Sequence, residues 1–170
     1  MRLVVKEHYM KEIKLYLLVE LLWWALTAVV VVAVMWPIWS TGVIWLFQTP
    51  NIFFIVTLIT FGRHIFALNS SLIGKKQTLK AFILIALVPI VFAFISNLNE
   101  FMVYIEEHMW DQMTGHLEIS SRRNIESYLY NEMLFFTVGS ILAAFGLAVR
   151  LIMSLWTQYN SEQHKNYQHR

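Results

Sequence analysis

The chain has 170 residues, 58% of them hydrophobic and only 14% charged, where a soluble domain carries about 25% charged residues. A net charge of +2 offers nucleic acid little attraction, and the absence of cysteine excludes disulfides, thiolate metal sites, iron–sulfur ligation and thiol redox catalysis. Long apolar runs and 15% aromatic residues place the sequence among polytopic membrane proteins, so the first expected partner is the lipid bilayer.

Residues 1–14 set Arg2, Lys6, Lys11 and Lys14 against Glu7 and Glu12, a pattern that predicts a short amphipathic interfacial helix. No cleavable signal is expected, because the first apolar run lacks a small-residue cleavage site. Span 1 is predicted over about 15–38, with Pro37 near its far end and Trp36, Trp39 and Trp45 forming an aromatic belt. Thr49-Pro50-Asn51 reads as the start of the next helix, and span 2 covers about 52–72. Span 3 covers about 81–105 with Pro89 inside it, and helical character is expected to continue to about Met113, stopped by Thr114-Gly115. Residues 106–132 are expected to form an outer acidic segment, looped from about 114 to 130. Span 4 follows over 133–156, and a polar cytoplasmic tail, poorly ordered, over 157–170.

The fold class that follows is an all-α integral membrane protein: one domain over residues 1–156, built as a four-transmembrane-helix bundle. Basic residues set its orientation. The N-terminus, the loop between spans 2 and 3 and the tail hold nine, whereas the loop between spans 3 and 4 holds only Arg122 and Arg123 among six carboxylates. The positive-inside rule therefore predicts both termini in the cytoplasm, by default at a bacterial cytoplasmic membrane.

Charges inside spans are costly and need partners. Glu20 lies roughly 7 Å in from the cytoplasmic end of its span, Arg150 roughly 9 Å in, and Arg63 and His64 roughly 12 to 14 Å in. Reach along the side chains would bring Glu20, Arg63 and Arg150 together as an ion-paired brace, with snorkelling to the interface the other course for Arg150. His64, next to Thr60, is a candidate haem or metal ligand as well as a structural histidine. Spans 1, 3 and 4 hold no second histidine, so bis-histidine ligation would need a partner subunit.

A second polar set follows helical steps along span 3 and its extension: Asn97, Glu100, Tyr104, Glu107 or His108, and Asp111. With Glu132 and His116 nearby, Glu100, His108 and Glu132 form a candidate metal group, and a solvated or partner-facing acidic face is the plainer reading. No Glu-x-x-His pair of the di-iron bundle type occurs. In span 4, Gly139, Ala143, Gly146 and Arg150 share a face, a small-residue seam for another helix of this chain, of a second copy or of another subunit. P-loop, dinucleotide, His-Glu-x-x-His and Gly-x-Ser-x-Gly motifs are absent.

Three functions are expected from these residues. The first is a non-catalytic subunit or interaction partner in a larger membrane complex. The second is a redox or metal-dependent membrane subunit, holding haem, iron or copper through His64 or the Glu100, His108 and Glu132 group. The third is proton or ion translocation through Glu20, Arg63 and His64.

Overall fold

A computed structural model describes the backbone over residues 2–68, 72–107 and 110–168, and the side chains over 17–68, 73–74, 76–107 and 110–161. All regular structure among the described residues is helical: α1 (Arg2–Thr41), α2 (Gln48–Ala67), α3 (Leu72–Lys75), α4 (Gln77–Glu106), α5 (Trp110–Thr114) and α6 (Ile119–Gln168). Four of these helices, α1, α2, α4 and α6, are long and apolar enough to cross a membrane.

The helix boundaries follow from where the chain carries breakers. No Gly or Pro interrupts residues 2–36, so the expected separate interfacial helix is instead the first part of one continuous α1. Past Pro37, whose carbonyl accepts from the hydroxyls of Ser40 and Thr41 at 3.1 and 3.0 Å, α1 ends at Gly42. That residue takes φ +69°, the left-handed conformation that glycine adopts without Cβ strain. Pro50 falls in the first turn of α2, where its missing N–H costs nothing.

Two sequence expectations are corrected at the acidic end. α4 stops at Glu106, and the separate helix α5 buries Met113 and Thr114 and packs on α6. Most of the expected 114–130 loop is helix, because Ile125, Leu129 and Met133 repeat every four residues and are all buried. The polar tail also continues α6 as far as Gln168, with no Gly or Pro after Gly146 to end it. At about 1.5 Å per residue, the 50 residues of α6 span roughly 75 Å, far more than a bilayer core.

α6 is the centre of the bundle and packs on both α2 and α4, while α1 packs chiefly on α2. α2 and α6 run parallel in one repeating register. Asn51 meets Glu132, a Cβ on Gly139 would meet Leu58 at 3.2 Å, and a Cβ on Gly146 would meet Ile65 at 3.1 Å. Steps of seven on both helices define a coiled-coil-like seam. Ser140 adds a cross-helix bond, donating to the Phe54 carbonyl at 2.8 Å. The small-residue face of α6 is thus filled by α2 of the same chain, which leaves other surfaces for any second chain.

The core has two parts. Near the acidic end, Trp45, Phe47 and Phe101 stack edge-on or tilted at centroid separations of 5.4 to 5.8 Å, with Phe54 against Phe94 at 5.2 Å. At the other end Leu68, Leu87, Ala144, Leu147 and Leu151 form a smaller cluster.

Candidate functional site: charges within the helical bundle at three places

The first charged group ties α1 to α2. Arg63 donates from Nη1 to Glu20 Oε2 at 2.6 Å and from Nη2 to Glu20 Oε1, a two-pronged pair that matches the planar guanidinium fork. Arg63 Cζ lies over the Trp23 ring, 5.5 Å from its centroid, a cation–π contact. Glu20 and Arg63 are 43 residues apart in sequence, and α1 antiparallel to α2 brings them to one depth. Next to them, His64 Nδ1 lies 2.7 Å from the Thr60 carbonyl. A carbonyl only accepts, so Nδ1 carries the proton in this bond. Glu20, Trp23, Thr60, Arg63 and His64 line a small cavity of about 80 Å³.

Arg150 is not part of this group. It faces α4 instead, where it shares an open cavity of about 350 Å³ with Lys80, Ser154, Thr157 and Ser161. Lys80 is only 2% exposed and donates from Nζ to Ser154 Oγ at 2.9 Å and Gln158 Oε1 at 3.1 Å. Arg150 Nε is buried and has no hydrogen-bond partner among the described residues. In the sequence Lys80 falls among the loop cations because it precedes the apolar run; only the packing of α4 on α6 makes it internal.

The third group lies at the opposite end. Glu132 is 7% exposed and Asn51 fully buried; Asn51 Nδ2 donates to Glu132 Oε2 at 2.6 Å and approaches Met35 Sδ at 3.6 Å. Glu132 Oε1 and Asn51 Oδ1 find no partner. Tyr128, one turn earlier on α6, donates to the Val34 carbonyl at 2.7 Å and so ties α1 to α6. Asn51 went unnoticed in the sequence because it sits beside a helix-starting proline. Its burial follows from the heptad step that aligns α2 with α6.

Of the candidate metal group, Glu100 and Glu132 are among the described residues. Glu100 is exposed on α4 beside the buried Phe101, Glu132 points inward to Asn51, and His108 lies outside the described residues. The expected polar stripe needed one straight helix through Met113, and α4 ends before Asp111 is reached. Asp111 instead pairs with Arg122, which also donates from Nε to Glu126 Oε1 at 2.7 Å; Thr114 Oγ1 lies 2.5 Å from the same carboxylate oxygen. Among the described residues no three His, Asp or Glu side chains are grouped as metal ligands.

Arg63, Lys80 and Glu132 share one chemical character: each is bound across a contact between two helices. Comparisons with protein-family models, with curated proteins and with solved structures yield no match to this chain.

Proposed function

We propose that the chain is a four-span membrane protein with both termini in the cytoplasm, acting as a non-catalytic subunit or interaction partner in a larger membrane complex. The observation that carries this reading is how the intramembrane polar groups are used. Arg63 is bound by Glu20, Glu132 by Asn51 and Lys80 by Ser154 and Gln158, each across a helix–helix contact. Such pairs fix register and rigidity, as a scaffold requires. The distribution of basic residues supports the orientation, with nine on one side against two.

The outward face of α1 supports an interaction role. Ala28, Val29, Val32, Ala33 and Trp36 border an open apolar groove of about 400 Å³. Small side chains there allow another transmembrane helix to approach closely. α6 has its own small-residue seam occupied by α2, so α1 is the helix with room for a partner.

Extraction of the tagged chain from its native membrane in mild detergent, followed by mass spectrometry, tests the proposal. Stoichiometric membrane partners are expected, and Ala33→Phe, which fills the groove, should release them while the bundle stays folded. Recovery of the chain alone, or partners that ignore the groove substitution, would overturn the reading.

A further inference from the structure

We infer that Lys80 and Arg150 form a phosphate-binding site at the junction of α4 and α6, one that stands whether or not the chain belongs to a larger complex. Its ligand is a phosphoryl oxyanion, carried either by an anionic phospholipid head group or by a soluble phosphate. The first support is a charge imbalance. Among the described residues lining the cavity there are two cations and no carboxylate. Lys80 is almost wholly buried, yet both partners of its ammonium group are neutral oxygens. A buried charge is costly until an opposite charge accompanies it.

The second support is the set of donors left over. An ammonium group has three protons, and Lys80 uses two. Arg150 Nε is buried beside the same space and has no hydrogen-bond partner among the described residues. Ser154 Oγ accepts from Lys80, which leaves its own proton to donate outward. These three donors come from two cations and a hydroxyl, the combination that suits a tetrahedral oxyanion, with the guanidinium fork matched to two of its oxygens. Thr157 and Ser161 hydroxyls are spoken for by the carbonyls of Met153 and Gln158 at 2.9 and 2.8 Å, and shape the wall instead.

Size and position agree. A cavity of about 350 Å³ falls within the range of roughly 300–1,000 Å³ for small-molecule sites. Arg150 lies six residues before Trp156 on α6, roughly 9 Å along the axis, and Lys80 lies in the first turn of α4. That depth is where lipid head groups meet acyl chains, and the opening also admits a soluble ion.

The test uses the full chain, purified in phospholipid-free detergent and titrated separately with phosphatidylglycerol, with a phosphate-free glycolipid and with inorganic phosphate. Native mass spectrometry reads bound ligand, and thermal unfolding reads the stabilisation that binding brings. Binding of phosphatidylglycerol over the glycolipid assigns the site to lipid, and binding of inorganic phosphate assigns it to a soluble anion. In either arm Lys80→Met and Arg150→Gln should weaken binding by about tenfold or more, the size expected for one charge-assisted hydrogen bond. Arg150→Gln, at a partly exposed position, covers the case in which Lys80→Met fails to fold. Lys76→Gln, exposed and outside the cavity, should leave binding unchanged. Binding of neither phosphate ligand, or equal loss in Lys76→Gln and Arg150→Gln, would overturn the inference.

Discussion

Asn51 and Glu132 are 81 residues apart in the chain and 2.6 Å apart in space, and the same 81-residue separation recurs where Leu58 meets Gly139 and Ile65 meets Gly146. Three layers spaced by seven residues therefore share one register. A larger side chain in a middle layer should disturb it. Gly139→Ala presses on the flexible end of Leu58 and is expected to be tolerated, whereas Gly139→Leu should cost about 1–3 kcal/mol through overpacking. Thermal unfolding in detergent compares the two, and equal stabilities would refute the close seam.

At the top of that seam, the Glu132 carboxylate depends on the Asn51 amide. Asn51→Leu removes its hydrogen-bond donor and should destabilise the bundle by about 2–3 kcal/mol. Glu132→Gln keeps the shape, removes the buried charge and should be neutral or stabilising. The two variants are thus expected to move Tm in different directions, or one of them not at all, and a marked fall with Glu132→Gln would argue against this account.

The Glu20–Arg63 pair gives the corresponding test at the opposite end. Either single change, Glu20→Gln or Arg63→Met, breaks the two-pronged pair and should cost about 2–3 kcal/mol. The double variant leaves neither and should lose less than the two singles together. Strict additivity would mean that the pair contributes no coupling.

Orientation is open to a clean labelling experiment, because the chain contains no cysteine. Single cysteines at the exposed positions Glu118 and Asn160 should respond differently in intact cells. A membrane-impermeant maleimide is expected to label Glu118→Cys, and to label Asn160→Cys only after lysis. The reverse pattern would invert the topology.

What the sequence disclosed follows from the kind of signal each feature leaves. Long apolar runs announce four helices because hydropathy is summed over some 20 residues and survives local irregularity. Arg63 stood out because a charge amid such a run is conspicuous, and Glu20 was the one acid within reach. Lys80 and Asn51 left no such mark. Both sit at the polar margins of apolar runs, where a lysine reads as a loop cation and an asparagine after Thr49-Pro50 as part of a helix start. Only the approach of α6 makes them internal. The first turns of α6 were hidden by the opposite masking: six of residues 119–126 are polar or charged, and these obscured the four-residue repeat of Ile125, Leu129 and Met133.

The parallel pairing of α2 with α6 also imposes an order of events during synthesis. Arg63 emerges after Glu20 is already in place, so the α1–α2 hairpin can settle its central charge as soon as it inserts. Asn51 must wait for Glu132, and at roughly 5–20 residues per second that wait lasts about 4–16 s. Through that interval the small-residue groove partner of Leu58 and Ile65 does not yet exist, and α2 offers lipid, or an insertion factor, the face it later gives to α6. α6, made after α2, is the helix that closes this seam.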